Sequence, residues 1–359
     1  MDSNIDSLLR QAQTMRASDI HLKVGSPPIV RVDGVLRPLN GTEPLTAEDT
    51  KAYAEAMFTS RAGVEYKENG AADFAYGRTD LGRFRVTTFS QRGSVSLVIR
   101  PVVPDARTFS ELGLPSGIEK IVGSKSGMIL VTGPSGSGKT TTISSIIDWV
   151  NTNKACSIVT VEDPIEILHP DKRSIVVQRE VGVDTPHPAD ALRAAMRHDA
   201  DVVVVSELAD QETAGAAMDA AETGHLVVSS MRTTDPAETI NRLISLFPES
   251  RRSTARAQLA AQLLGIVSQM LIDAGDGRVV LACEVLINNE RTQQWILSDR
   301  EPAHLMDIIK DSSFYGMQTF DQALLGHVVS RTIDLGSVLP YARNTHEIRA
   351  KAMSAGLSI

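Results

Sequence analysis

Only two cysteines occur in 359 residues, Cys156 and Cys283, so neither a disulfide framework nor a thiolate metal cage is open to this chain. Both lie in apolar runs without metal-ligand spacing and read as reduced core thiols. Positive charge is also short. Against 44 Asp and Glu stand 36 Lys and Arg, a formal net charge of −8, which argues against a broad electrostatic footprint for DNA or RNA. No stretch approaches the roughly 18 apolar residues of a membrane span, and Met1-Asp2-Ser3-Asn4-Ile5-Asp6 has neither a basic n-region nor an apolar h-region. The expectation is a cytoplasmic protein. Low-complexity segments and internal repeats are absent as well.

A chain of this length is expected to form two domains. Ile5, Leu8, Leu9, Ala12 and Met15 recur at helical spacing, and Ile20-His21-Leu22-Lys23-Val24 then alternates like a strand. Ile29–Val32 and Val35–Arg37 flank Asp33-Gly34, a dipeptide that supplies positive φ for a two-residue hairpin turn. A helix is expected around Thr46–Met57 and strands at Gly82–Ser90 and Ser94–Arg100. Residues 1–100 therefore read as a small α+β domain. Pro101 and Pro104 interrupt both helix and ladder, which makes 101–112 the linker. From Gly113 the pattern becomes apolar strands alternating with helices, the mark of a mostly parallel α/β sheet over 113–290. Strands are expected at Met128–Val131, Ser157–Val161, Val202–Val205, His225–Ser230 and, after the turn Gly275-Asp276-Gly277, Arg278–Ile287. Residues 291–359 read as polar helices.

Gly133-Pro134-Ser135-Gly136-Ser137-Gly138-Lys139-Thr140 has the spacing of a phosphate-binding loop. An apolar strand precedes it, and Ile143, Ile146, Ile147 and Val150 follow at the spacing of an amphipathic helix. Glycines let consecutive N–H groups turn toward phosphate oxygens, and the helix N-terminus adds its dipole. Lys139 is expected to reach the β- and γ-phosphates, Thr140 to ligate Mg²⁺, and Thr141 to complete the ATP-contacting set.

In such a sheet, ligands gather at the carboxyl ends of the strands. Those ends carry Glu162, Asp163 and Glu166 after one strand and Glu207 after another, as phosphoryl transfer requires of carboxylates that serve the metal and the attacking water. Asp201 begins its strand and faces the wrong end. His225 opens a strand directly after Gly224, and a hydrogen-bonded core histidine is as good a reading as a functional one. Arginines that can meet charge developing on a γ-phosphate are available at Arg83, Arg85, Arg92, Arg100, Arg193 and Arg197.

Together with the phosphate loop, Val161-Glu162-Asp163-Pro164-Ile165-Glu166, Gln178-Arg179-Glu180, Ala191–Arg197 and Ala221–Val227 resemble the secretion ATPases, specifically the PilT-type pilus-retraction ATPases. Ala17–Leu22, Arg31–Gly34, Arg83–Val86 and Gly316–Asp321 are similar too, so the resemblance covers nearly the whole chain. It implies a PAS-like N-terminal domain joined to a RecA-like P-loop NTPase domain with C-terminal helices. It further implies a homohexamer with ATP between subunits, acting on an inner-membrane pilus platform protein from the cytoplasmic face. By motif position Glu166 would be the catalytic base, Glu207 the Walker-B acid acting on Mg²⁺, and His225 the first histidine of the His box. Arg85 and Arg100 would offer charge to the γ-phosphate.

The chain departs from the family pattern at three places. Ser206-Glu207-Leu208-Ala209 stands where the family usually has Gly-Glu-Met-Arg, Arg232 replaces the second His-box histidine, and Thr292–Ser298 lacks the basic helix motif. The expected activity is ATP hydrolysis that drives domain rotation and pilus retraction. The alternative is a nucleotide-binding accessory ring subunit that assists an active paralogue. A nucleic-acid motor is the least favoured reading, given the net charge.

Overall fold

A computed structural model describes residues 4–78, 80–102, 106–275, 277–298 and 302–356. Pro104 of the expected linker and Asp276 of the expected turn lie outside them. The chain divides into two compact units, Met1–Asp105 with Asp163–Leu168, and Ala106–Glu162 with His169–Ile359.

The first unit opens with α1 (Asn4–Thr14), followed by β1 (Asp19–Leu22), β2 (Ile29–Val32), β3 (Val35–Pro38), α2 (Ala47–Met57), α3 (Ser60–Asn69), β4 (Ala71–Arg78), β5 (Gly82–Gln91) and β6 (Ser94–Val102). The strands form one antiparallel sheet in the order β3-β2-β1-β6-β5-β4. Asp33 and Gly34 carry φ of 51° and 80°, the paired left-handed conformation that lets a two-residue turn match the strand twist. Apolar residues of α1, among them Ile5 and Leu9, share a core with Ile20 and Leu22 of β1, Phe84 of β5 and Ile99 of β6. Asp6 on that same helix is fully buried. Its two oxygens accept from the Tyr76 hydroxyl at 2.8 Å and the Arg78 guanidinium at 2.6 Å, which is how a carboxylate is tolerated there.

Neither α3 nor β4 is anticipated by the sequence pattern. Helix α3 buries Ala62 alone among its ten residues, and β4 is rich in small residues, so neither carries a strong apolar period.

The second unit contains α4 (Phe109–Leu112), α5 (Gly117–Val122), β7 (Gly127–Thr132), α6 (Lys139–Asn153), β8 (Ser157–Glu162), β9 (Ile175–Glu180), α7 (Pro188–Ala195), β10 (Val202–Val205), α8 (Gln211–Glu222), β11 (Leu226–Met231), α9 (Pro236–Ser245), α10 (Glu249–Gln262), β12 (Leu263–Asp273) and β13 (Val279–Ile287). Its sheet runs β13-β12-β7-β11-β10-β8-β9, parallel throughout except for the antiparallel β12–β13 pair. Alternation along β7 fills both faces. Met128 and Leu130 join a core with residues of α7 to α10, whereas Ile129 and Val131 join another with α5 and α6.

The remainder folds as α11 (Glu290–Ser298), α12 (Pro302–Asp311), α13 (Phe320–Val329), α14 (Leu335–Val338) and α15 (Thr345–Ser354). These helices were expected to be polar, and they are amphipathic instead. Trp295, Ile296 and Ile309 are buried in the main core, while Phe320, Leu324, Val338 and Ile348 pack with Ile272 and Ala282. Glu284 of β13 anchors this region. It is fully buried, and one of its oxygens accepts from Arg343 at 2.8 Å and from the Phe320 N–H at 3.2 Å.

Burial pushes Glu284 up to about 7, against the pull of Arg343. Its folded value therefore exceeds the unfolded one, and its contribution to stability falls as pH rises from the usual carboxylate range through about 7. Removing the Arg343 charge enlarges that penalty. Arg343→Met should destabilise the protein by about 2 kcal/mol at pH 8 and by less at pH 6, where Glu284 takes a proton, as read from denaturant midpoints. An equal loss at both pH values would show that the pairing with Glu284 is not what Arg343 contributes.

Candidate active site

Strand β7 is buried at every position and delivers the chain to Gly133, whose φ is 149°. A Cβ at Gly133 would stand 2.4 Å from the Gln269 carbonyl oxygen and 2.4 Å from Ser137 Oγ. No other residue fits that approach. Gly136 and Gly138 take φ of 79° and 88°, and Gly138 caps α6 without any side-chain hydrogen bond, so the helix N-terminus stays open to an anion. Lys139 Nζ donates to the carbonyls of Gly133 at 2.8 Å and Pro134 at 3.0 Å, which places it over the loop. Burial lowers its pKa, the nearby Glu207 charge opposes that shift, and Arg232 adds to it.

The floor of the loop comes from β12, an element and a role that the sequence reading misses. Gln269 Nε2 donates to the Ser137 carbonyl at 2.7 Å, and Thr132 and Ser268 pair their hydroxyls at 2.8 Å. Ser137 Oγ and Gln269 Oε1 are buried without a hydrogen-bond partner. Such orphaned polar atoms in a glycine cradle fit a phosphate group that completes them. An adjacent serine and glutamine, Ser268 and Gln269, in an otherwise apolar run are the signal that was available in Leu263–Ile272.

Glu207 follows β10 by two residues. The preceding Ser206 donates its N–H to Val161 at 3.0 Å and its carbonyl accepts from Ser230 at 2.5 Å, while the Leu208 N–H donates to Ser230 at 2.9 Å. Serine replaces the family glycine here without a left-handed backbone, since Ser206 is not among the residues of positive φ. The Glu207 carboxylate is paired. Arg232 Nε lies 3.0 Å from each of its two oxygens.

The place of His225 follows from its strand. It precedes β11, and the register of β11 on β7 sets Leu226 beside Gly127 and Met231 beside Thr132. His225 thus stands at the amino edge of the sheet, a strand length from the phosphate loop at the carboxyl edge, and does not share the site with Lys139 and Glu207 of its own chain. Its Nδ1 lies 2.9 Å from the Ala220 carbonyl and 3.2 Å from Thr223 Oγ1, so it fastens the end of α8. Asp201 also sits at the amino edge, as expected, where it accepts from the Ser157 N–H.

Glu162 ends β8 and is held by two donors, Thr160 Oγ1 at 2.6 Å and Gln178 Nε2 at 2.8 Å. The same Gln178 accepts from the His169 N–H at 2.9 Å, and His169 Nε2 meets Ser144 Oγ of α6 at 3.2 Å. Gln178 therefore ties Glu162 to His169, the residues that bracket the Asp163–Leu168 segment. In the first unit Glu166 accepts from Arg85 at 3.3 Å, with both side chains more than a third exposed. Arg100 donates to Asp19 at 2.7 Å. Burial raises the Asp19 pKa, and hydrogen bonds from Arg100 and Ser18 more than reverse it. Among the described residues no group of three or more His, Cys, Asp or Glu side chains could hold a metal ion.

Residues 1–300 match the family described as type II/IV secretion system protein. The chain belongs to that family. It is 36% identical over 330 residues to the type IV pilus retractation ATPase PilT of Pseudomonas aeruginosa, covering 92% of this chain and 95% of that protein. It is 33% identical over 352 residues to a twitching motility protein of Neisseria gonorrhoeae, covering 98% and 92%. The crystal structure of the pilus retraction motor PilT with bound ADP superposes with a TM-score of 0.86 at 38% identity, covering 97% of this chain and all of that one. As a PilT-type ATPase of this family the chain uses a nucleotide, and its α/β fold is theirs. No helix among the described residues is long and apolar enough to cross a membrane.

Two predictions follow from this geometry. Gly133→Ala should force Gln269 or Ser137 to move, costing about 1–3 kcal/mol and abolishing nucleotide binding, read by thermal unfolding and by titration with a fluorescent ADP analogue. Wild-type affinity in the variant would refute the tight approach of β12. His169 is the second case, because burial pushes its imidazole down to about 4. Between pH 6.5 and about 4 the unfolded chain binds a proton there that the folded chain refuses, so stability falls as pH falls, by about 2 kcal/mol at pH 5. Glu284 acts in the opposite direction over an overlapping range, so the reading must be a difference between variants. The stability gap between wild type and His169→Gln should narrow by that amount from pH 7.5 to pH 5, and a constant gap would contradict a buried neutral imidazole.

Proposed function

We propose that this chain is an ATP-hydrolysing motor subunit that assembles as a homohexameric ring at the cytoplasmic face of the inner membrane and drives pilus retraction through a platform protein. The observation that carries this reading is the open phosphate cradle, with Ser137 Oγ unpartnered, Lys139 over the loop and Glu207 at the neighbouring strand end. Backbone N–H groups of Gly136 to Thr141 would surround the phosphates, and Lys139 would leave its two carbonyl partners for the β- and γ-phosphate oxygens. Thr140 and Glu207 would hold Mg²⁺, directly and through water, and the metal when bound neutralises charge on the transferring phosphoryl group.

Hydrolysis forms a bond between a water oxygen and the γ-phosphorus and breaks the bond from that phosphorus to the β–γ bridging oxygen, leaving ADP and phosphate. Glu166 would take the proton of the attacking water, and Arg85 and Arg100 would meet the charge that develops on the γ-phosphate. These three roles rest on motif position. In the structure Glu166 is paired with Arg85 and Arg100 with Asp19, so both pairs must open for turnover. Neither pair is strongly held, since at least one partner in each is well exposed.

A second reading has its own support. Arg232 pairs with Glu207, the acid that would serve the metal, as a subunit that binds nucleotide without turning it over would tolerate. Such a subunit would dock on an active paralogue in a mixed ring.

Steady-state ATP hydrolysis with Mg²⁺ at assembling concentrations separates the two. Lys139→Ala should abolish turnover and nucleotide binding, and Glu166→Gln should lower turnover by about 10²–10⁴-fold while binding persists. Tight binding by the wild type with turnover no greater than that of Glu166→Gln would reject the motor in favour of the accessory subunit.

A further inference from the structure

Two departures from the family pattern change the charge at the carboxyl edge of this sheet. Ala209 removes a cation from the stretch after β10, and Arg232 adds one after β11. In the sheet β11 lies between β7 and β10, so the end of β11 stands between the strand that leads into the phosphate loop and the strand that leads to Glu207. Register puts Met231 beside Thr132, one residue before Gly133, and Ser229 beside Val205, two residues before Glu207. From that place the Arg232 side chain reaches Glu207 and sets Nε 3.0 Å from both carboxylate oxygens. Its side chain is 66% exposed, against 30% for Glu207.

We propose that Arg232 is a positioning residue that holds the Glu207 carboxylate in the nucleotide-free subunit and is exchanged for Mg²⁺ when the metal nucleotide arrives. The proposal rests on the reading of Glu207 as the acid that serves Mg²⁺. Two cations at one carboxylate repel each other, so hydrated Mg²⁺ competes with the guanidinium for the oxygens that Arg232 contacts. The exchange is a contest of two cations for one carboxylate. An imidazole at this position, as the family pattern has, would hold the carboxylate weakly or not at all once neutral. Exposure makes the contest winnable. A pair this open to solvent is weak, so the displacement raises the Mg²⁺ requirement without closing the site. Once released, Arg232 stands level with the start of the phosphate loop, where its charge favours the bound phosphates.

The test is the Mg²⁺ dependence of binding of a fluorescent ADP analogue, which needs no turnover. In the wild type the Mg²⁺ concentration that gives half the metal-dependent gain in affinity should be about three- to fivefold higher than in Arg232→Gln. Arg232→His should match Arg232→Gln at pH 8, and Arg232→Lys, which keeps a charge, should lie near the wild type. In Glu207→Gln the midpoint should move, and adding Arg232→Gln to Glu207→Gln should then change nothing further, because Arg232 acts on the metal through that carboxylate. A midpoint that is unchanged or higher in Arg232→Gln, while Glu207→Gln still shifts it, overturns the proposal and leaves the reading of Glu207 standing. A midpoint indifferent to Glu207→Gln overturns that reading, and the proposal with it.

Discussion

The second unit depends on one contact, where the middle of β12 closes to within touching distance of the turn that leaves β7. Gly133 has no room for a Cβ because the Gln269 carbonyl and the Ser137 hydroxyl already fill that space. The contact fixes the phosphate loop from below, with Gln269 Nε2 holding the Ser137 carbonyl and the Thr132 and Ser268 hydroxyls joined. From above, the loop is held by α6, whose apolar residues Ile143, Ile146, Ile147 and Val150 are buried against one face of the sheet. A loop clamped on both sides keeps its N–H groups directed at one point before a ligand arrives, and the cost of ordering them is met on folding rather than on binding.

The part of this arrangement that is legible in sequence is the part written in local spacing. Glycines at 133, 136 and 138, the lysine after them and the periodic helix behind all belong to one continuous segment. The Asp33-Gly34 hairpin is readable for the same reason, since its two residues must take positive φ whatever lies around them. Gln269 is more than a hundred residues from the loop that it supports, and no local period announces a contact set by strand order. The C-terminal helices show a different limit. Their polar composition is visible, but the apolar positions that bury Trp295 and Phe320 become meaningful only once the faces they cover exist.

Strand direction sorts the charged residues between the two edges of the sheet. A parallel sheet has one edge where strands end and another where they begin, so a residue's place relative to its strand decides which edge it occupies. Glu162 ends its strand and Glu207 and Arg232 follow theirs, whereas Asp201 and His225 precede theirs. On that distinction His225 stands at the amino edge of its own chain, a strand length from the phosphate loop. The motif that spans β11 has one end at each edge, and only its second end, where this chain has Arg232, adjoins the phosphate loop.

That end is also where the chain's departures acquire meaning. Ser206 in place of glycine changes little, because its backbone needs no left-handed conformation and both of its polar backbone groups are bonded to adjacent strands. Arginine in place of histidine changes the site more, since it sets a guanidinium against both oxygens of the Glu207 carboxylate. Lys139 already senses it, as its lowered pKa reflects burial opposed by Glu207 and reinforced by Arg232. Three charges therefore meet at the mouth of the cradle with two positive and one negative, and the balance favours an incoming polyanion. A metal nucleotide brings both an anion for the two cations and a cation for the carboxylate, and so it can satisfy all three at once.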